Sequence, residues 1–389
     1  MKLLLKNISW LDEGKDITAD VRITRGVISE IGTLTALRKE KAIDFQDHFL
    51  YPGLINAHDH LEMNLYPLMG RPPYNNYIEW ASDIYKPKES PVKEIESIAI
   101  KDRLMWGGIK NLISGVTTVV HHNPWHRLLS RKKFPVQVEE TAWAHSLAFE
   151  RNIQKRFPKK SGKAFVVHSG EGIDSFAEQE IARLNSLDLM KENTVLIHAV
   201  AMSERNQKLI QEANASIVWC PSSNQFMFNQ TAPVNQLKSK IRVSLGTDST
   251  MTGPATLLDE MKIALKTKMA TPEEIYAMVT RIPAQVFDLP LPEIKIGSRA
   301  NLWIAPKRHE NYFENILSLS PSDISAVFVN GELRYGALFV ATSLGMKGYS
   351  FPVFGLQKWT AYDVSALKKK ITSKAKSSCT ENPLWKMLN

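Results

Sequence analysis

Pro52-Gly53-Leu54-Ile55-Asn56-Ala57-His58-Asp59-His60 is the stretch from which the fold can be read. Its short, mostly apolar run has the texture of a buried strand, and two histidines stand two apart at its end. A period of two places both imidazoles on one face. Imidazole nitrogen is a good ligand for zinc and similar divalent ions. Four more motifs follow in order: His168-Ser169-Gly170-Glu171, Leu196-Ile197-His198-Ala199, Cys220-Pro221-Ser222-Ser223-Asn224 and Gly246-Thr247-Asp248-Ser249. Each follows a short apolar run. One such motif would say little. The ordered set places His, Glu and Asp at the ends of successive strands, which is what a mononuclear metal hydrolase needs.

Working outward, residues 52–292 alternate apolar runs with helical stretches. Thr117–Val120, Val136–Val138, Ala164–Val167, Thr194–Ile197, Ser216–Trp219 and Arg242–Leu245 read as strands. Phe176–Leu187, Glu204–Ala213 and Leu257–Lys268 read as helices. This alternation predicts an α/β fold with a parallel sheet closed as a (β/α)8 TIM barrel. Residues 1–51 and 293–345 carry short strands and turns instead, including a turn at Asn330-Gly331. Residues 346–389 form a C-terminal extension of unknown role, with a lysine-rich and helical second half.

The chemistry follows from the residue types. His58, His60 and His168 are expected to hold one divalent metal ion together with Asp248, since a buried strand-end carboxylate is costly unless it meets a cation. Such an ion makes water acidic enough to attack near neutral pH. Asp248 then takes a proton as water attacks an electron-poor sp2 carbon, and Glu171 carries a proton to a ring nitrogen and to the leaving group. His198 orients the water or polarises the acceptor.

These motifs resemble the amidohydrolase superfamily, in the branch of cytosine, guanine, adenosylhomocysteine and aminofutalosine deaminases and the triazine chlorohydrolases. The resemblance spans about residues 1–340. It implies a distorted (β/α)8 barrel plus a small β-sandwich built from both chain ends, with zinc or iron as the usual ion. It maps the metal positions to His58, His60, His168 and Asp248, and the catalytic positions to Glu171, His198 and Asp248. Cys220-Pro221-Ser222-Ser223-Asn224 resembles a signature of the deaminase branch whose asparagine, here Asn224, shapes the pocket. His60-Leu61-Glu62 is also common there, so Glu62 is either a contact for substrate amino groups or hydroxyls, or a loop-surface carboxylate.

Three departures stand out. The second strand ends in His121-His122 where relatives often carry aspartate, and either histidine is equally a pocket residue or a packed one. The span from His145 to Phe165 is short for a helix, a strand and another helix, so the fourth strand is degenerate or missing. The tail has no recognised counterpart. No lysine is placed to be carboxylated between two metals, since Lys163 precedes the strand of His168, and one ion, zinc before iron, is therefore expected.

The loop after His60 holds Tyr66, Tyr74, Tyr77, Trp80 and Tyr85, and Trp125 and Trp143 lie near the next two strand ends. Aromatic rings suit a flat heterocycle by stacking, with Trp80 a candidate contact, or simply pack the loop. Arg71 is a candidate for an anionic substrate group. The leading expectation is deamination of a heterocyclic amine that is nucleobase-, nucleoside- or pteridine-like. The alternatives are hydrolysis of an amide or other C–N bond by the same site, and a non-catalytic binding protein.

Composition sets the frame. The 389 residues are 43% hydrophobic, ordinary for a chain with a sizeable core. No apolar run approaches the ~18 residues needed to span a membrane. The three leucines of Leu3–Leu5 are too few for a signal peptide. Two distant cysteines, Cys220 and Cys379, argue against a disulfide framework and fit a cytoplasmic location. The net charge of +9 gathers in Arg131–Lys133, in Lys155-Arg156 with Lys159-Lys160, and in Lys368–Lys370 with Lys374 and Lys376. These read as solvated surface, with an anionic substrate or partner left open. Nucleic acid is not expected, because interleaved aromatics and binding motifs are missing. A small-molecule substrate and no membrane partner are expected, and a homodimer is a family-level expectation.

Overall fold

The computed structural model describes residues 2–158 and 162–389, so Lys159 and Lys160 of the second basic cluster lie outside the described residues. The two chain ends meet in one ten-stranded sheet. Its hydrogen-bonded order is Tyr349–Val353, Leu356–Thr360, Glu332–Ala337, Ala326–Val329, Leu302–Pro306, His48–Pro52, Lys2–Asp12, Lys15–Thr24 and Val27–Gly32, with Lys41–Asp44 paired on Lys2–Asp12. The Asn330-Gly331 turn forms as expected. Both residues have positive φ (52° and 73°), as a two-residue hairpin needs to match strand twist.

His48–Pro52 pairs antiparallel with Leu302–Pro306 and leads through Gly53 into the first strand of a second, parallel system. That system comprises β1 (Leu54–Asp59), β2 (Val116–His121), β3 (Gln137–Glu140), β4 (Ala142–Ala144), β5 (Phe165–Ser169), β6 (Thr194–His198), β7 (Ser216–Trp219) and β8 (Val243–Leu245). β1, β2 and β3 form one parallel sheet, and β4 to β8 form another in sequence order. β1, β5, β6, β7 and β8 are buried along their whole length, which is why they read as continuous apolar runs. The predicted helices form as Ser175–Ser186, Glu204–Glu212 and Leu257–Lys266. Asp174, Ser203 and Thr256 cap them by accepting N–H bonds from their first turns.

The doubtful fourth strand has a definite answer. Thr141 alone separates β3 from β4, so no helix fits between them. One extended segment pairs first with β2 (Val119 opposite Val138) and then with β5 (Val166 opposite Trp143). Among the described residues between β4 and β5, the one regular element is the short helical turn Ile153–Lys155.

β1 and β8 meet at a seam made by an isolated parallel bridge between Asp59 and Asp248. There the N–H groups of Thr247 and Asp248 donate to the carbonyl of His58 at 3.0 and 3.1 Å, and His60 N–H donates to the carbonyl of Asp248 at 2.9 Å. Gly246 makes this approach possible, because a Cβ there would lie 2.7 Å from the Cβ of His58 and 2.9 Å from its backbone nitrogen. A Gly246→Ala change should therefore cost about 1–3 kcal/mol through overpacking. The same change should loosen metal retention, and urea midpoints with and without metal would read both effects.

The tail is woven into the molecule. Its hairpin supplies two strands of the large sheet, and Lys368–Lys376 lie on the helix Val364–Thr380 that follows. Trp385 packs its ring 5.3 Å from that of Trp106. The buried Asn382 donates to the carbonyls of Asn64 and Tyr66 at 3.1 and 2.7 Å, in the loop after His60. No described helix is long and apolar enough to cross a membrane. Cys220 and Cys379 are both free and buried.

Candidate active site

The strand ends bring the motif residues together. The imidazoles of His58 and His60 lie 4.8 Å apart, and His168 stands 5.0 and 5.4 Å from them. One ligand atom from each of these three falls within 4.8 Å of the others, so a single ion can be shared among them. Asp248 faces the same point, its Oδ1 lying 3.4 Å from His60 Nε2 and 3.7 Å from His58 Nε2. Its Oδ2 accepts hydrogen bonds from the hydroxyls of Ser223 (2.8 Å) and Thr252 (2.9 Å). The carboxylate is thus oriented by one oxygen and offered by the other.

The tautomers are set by hydrogen bonds. His168 Nδ1–H donates to the carbonyl of His145 at 2.8 Å, leaving Nε2 as a bare lone pair. His198 Nδ1–H donates to Asn224 Oδ1 at 2.8 Å, and the Asn224 amide donates in turn to Thr231 Oγ1. His198 Nε2 therefore points at Glu171 Oε1, 3.4 Å away. His198, at φ 73°, and Asp248, at φ 57°, both sit in left-handed backbone, a conformation that clusters at functional sites.

Electrostatics agrees with this geometry. Burial pushes the His58 imidazole down to about 4 and carries His168 and His122 well below the usual histidine range, so these rings are neutral, as metal ligands must be. Burial would raise the Asp248 carboxyl, but the facing His58, His60 and His198 hold it well below the carboxylate range. Burial, then the charges of Asp248 and Glu180, push Glu171 well above its ordinary value. The site thus sets a carboxyl group held toward its ionised form beside one held toward its protonated form. Both nitrogens of His58, Nδ1 of His60 and Nε2 of His198 have no hydrogen-bond partner although buried. Among the described residues Asp248 has no lysine or arginine partner, and its Oδ1 faces only the imidazoles of His58 and His60 within 4 Å. Orphaned imidazole nitrogens around a buried anion fit a divalent cation.

His121 and His122 turn to different neighbours. The His122 ring joins the cluster, 5.1 Å from His58, 4.5 Å from His168 and 5.2 Å from Trp143. His121 instead turns to Glu62, with Nε2 3.8 Å from Oε2. Glu62 is buried, not a surface carboxylate, and its other oxygen accepts from Asn123 Nδ2 at 2.7 Å. The indole N–H of Trp80 donates to the carbonyl of Met69 at 3.0 Å, and its ring packs against the cluster of Tyr77, Val200, Met227 and Phe228. Tyr77 is the loop aromatic tied to the site, its N–H donating to the carbonyl of Glu171 and its hydroxyl to Glu180. Lys163 is half exposed and faces Glu140 at 3.9 Å. A separate cleft lined by Trp10, Asp16, Tyr276 and Arg281 contains none of the site residues.

Comparison with known proteins decides the family. The profile described as the amidohydrolase family matches residues 131–334, just over half of the chain. The chain belongs to this family. Among curated relatives, this amidohydrolase is 27% identical to the 5-methylthioadenosine/S-adenosylhomocysteine deaminase of Pyrococcus furiosus, over 85% of the chain and 94% of the relative. It is 24% identical to the 5'-deoxyadenosine deaminase of Methanosphaera stadtmanae, over 85% and 92%. Among solved structures it resembles an adenosine deaminase from Xanthomonas campestris with bound zinc, with a TM-score of 0.70 and 15% identity over 97% and 98% of the two chains. It also resembles a zinc complex of atrazine chlorohydrolase from Arthrobacter aurescens, with a TM-score of 0.71 and 14% identity over 96% and 100%. This amidohydrolase thus shares the overall fold of these structural neighbours, with mixed α/β sheets.

Sequence reasoning missed Ser223, Thr252 and the carbonyl of His145. Ser223 lies inside a motif already singled out, and that was its only signal. Thr252 lies four residues past Asp248 with nothing local to mark it.

Proposed function

We propose that this protein is a metal-dependent aminohydrolase that removes the exocyclic amine of an adenine nucleoside or a similar heterocycle and releases ammonia. The carrying observation is the convergence of His58, His60, His168 and Asp248 on one point, beside a buried Glu171 that faces the bare nitrogen of His198. The names of the curated relatives support the purine nucleoside class.

Zinc is the ion proposed, as one ion held by His58, His60, His168 and Asp248, because zinc accompanies the structural neighbours. When bound, it would supply a Lewis acid that makes water acidic near neutral pH. Asp248 takes the first proton of the attacking water, its second oxygen held by Ser223 and Thr252. The protonated Glu171 gives its proton to the ring nitrogen beside the attacked carbon. It then receives the proton carried by Asp248 and passes it to the departing amine; the hydroxyl proton left on the attacked carbon returns to Glu171 as the carbonyl forms, so water is consumed, ammonia leaves and Glu171 is again protonated. His198, aimed by Asn224, keeps Glu171 and the incoming water in line. His122 and Trp143 form an aromatic wall beside the ligands that suits a flat ring. Glu62 is retained as a candidate for substrate hydroxyls, by way of its unpartnered Oε2.

The proposed architecture is a distorted barrel over residues 52–292, with β3 and β4 merged in one wall segment. Residues 1–51 and 293–345 form the β-sandwich part, which the tail 346–389 extends. A cytoplasmic enzyme is proposed from the cysteine usage.

The test is coupled detection of ammonia from zinc- or iron-loaded protein offered adenosine, 5'-deoxyadenosine and 5'-methylthioadenosine, alongside pyrimidines, pteridines and triazines. Ammonia from the adenine nucleosides, lost with Glu171→Gln, is the expected result. Turnover of a triazine or an amide without ammonia would move the reading to the other hydrolytic class.

A further inference from the structure

Directly behind the metal positions lies a polar cluster that the proposed chemistry does not use. Its centre is Lys110, on the helix Ile100–Leu112, with 0% of its surface exposed. Lys110 Nζ donates to Asp59 Oδ2 and to Thr247 Oγ1, each at 2.8 Å. Thr247 Oγ1 donates to the same Asp59 oxygen at 3.0 Å, and Asn111 Nδ2 donates to it at 3.0 Å. Asn64 Nδ2 donates to the other Asp59 oxygen at 2.7 Å. Asn56 closes the ring, its Nδ2 donating to Thr247 Oγ1 at 2.8 Å and its Oδ1 accepting the Thr247 N–H at 3.1 Å.

The location is informative. Asp59 lies between His58 and His60 on β1, and Thr247 immediately precedes Asp248 beyond β8. These two segments carry three of the four proposed ligands, and backbone bonding between them is limited to the short seam at His58 and Asp248. A buried ion pair is a poor source of stability, since well-packed apolar residues of similar volume often replace one without loss. A buried, fully hydrogen-bonded pair does restrict geometry. Lys110 and Asp59 also cancel each other's charge, which leaves the negative charge of Asp248 for an ion.

We infer that Lys110 is a positioning residue of the metal centre. By bridging Asp59 and Thr247 it sets the registration of the His58/His60 strand against the Asp248 segment, and so the spacing of the ligand shell. The inference rests on the metal site proposed above.

Cobalt(II) is the probe, read by chelator competition for affinity and by visible absorption for ligand geometry, with thermal melts of metal-free protein in parallel. Lys110→Met alone strands a buried aspartate and is expected to destabilise the fold. The deciding variants are therefore Thr247→Val and the pair Lys110→Met with Asp59→Asn, neither of which leaves a buried charge unpaired. Both are expected to melt near wild type, bind cobalt about 10–100-fold more weakly and show an altered absorption band. Wild-type affinity and spectrum in both variants would overturn the positioning role and reduce the cluster to core packing. Wild-type protein that binds no cobalt would overturn the metal site itself, and this inference with it.

Discussion

Glu171→Gln protein is expected to lose deaminase turnover by about 10²–10⁴-fold, the usual contribution of one proton-transfer group. Its metal content should stay at the wild-type level, because the four proposed ligands are untouched. The amide keeps the size of the side chain and can still face His198, so the loss should fall on kcat, with KM little changed. The substitution should also alter the pH dependence of folding in metal-free protein. Burial raises the Glu171 carboxyl in the folded state. A raised group stabilises the fold fully below its unfolded value, and that stability is lost as pH rises through the folded value. Wild-type protein should therefore lose more stability between acidic and alkaline pH than the Gln variant, which carries no such proton. Steady-state kinetics, metal analysis and denaturant melts at several pH values check the three parts separately. Full turnover by the variant would remove Glu171 from the mechanism.

Asp248→Asn is expected to be at least as severe and different in kind. The change removes the only carboxylate within 4 Å of the His58 and His60 Nε2 atoms among the described residues, and with it the proposed acceptor of the water proton. Turnover should fall by about 10²–10⁴-fold through loss of the base alone. Metal should also be held less tightly, so raising zinc in the assay should recover only part of the activity. The hydroxyls of Ser223 and Thr252 can still donate to the amide oxygen, so the backbone geometry at Asp248 should survive. Metal content by elemental analysis, followed by turnover at saturating zinc, separates the ligand role from the base role. A variant that binds zinc as wild type and turns over fully would sink both assignments.

Much of this site was legible along the chain because its signals are local. The two-residue spacing of His58 and His60 dictates a shared face, and the rings do meet at 4.8 Å. His168, Glu171, His198 and Asp248 each follow a run apolar enough to be a strand buried on both sides, so their positions at strand ends needed no contact information. The stretches Phe176–Leu187, Glu204–Ala213 and Leu257–Lys268 read as helices between those strands, and helices form at Ser175–Ser186, Glu204–Glu212 and Leu257–Lys266.

Other parts left no such trace. Which of His121 and His122 enters the cluster depends on how β2 packs against β1, and adjacent residues at a strand end do not reveal it. The aromatic content of the loop after His60 left stacking on a substrate and plain packing both open, and only the packed structure shows Trp80 giving its N–H to Met69 and its ring to Val200, Met227 and Phe228. β3 and β4 divide one segment between two neighbours, a choice set by the edges that β2 and β5 present. The tail read as an appendage until Asn382 was seen to reach the carbonyls of Asn64 and Tyr66. Lys110 and Asn111 interrupt the otherwise apolar stretch Leu104–Ile113, but the partners of Lys110, Asp59 and Thr247, lie 51 and 137 residues away.

The chain alone thus points to the proposed ligand set, the strand ends that carry it and the family, because periodicity and residue chemistry act over a few residues. The tertiary structure decides which oxygen of Asp248 faces the histidines, which nitrogen of His198 is bare, and how the Asp248 segment registers against β1. Those depend on hydrogen bonds between segments up to 191 residues apart, whose geometry exists only once the strands have packed.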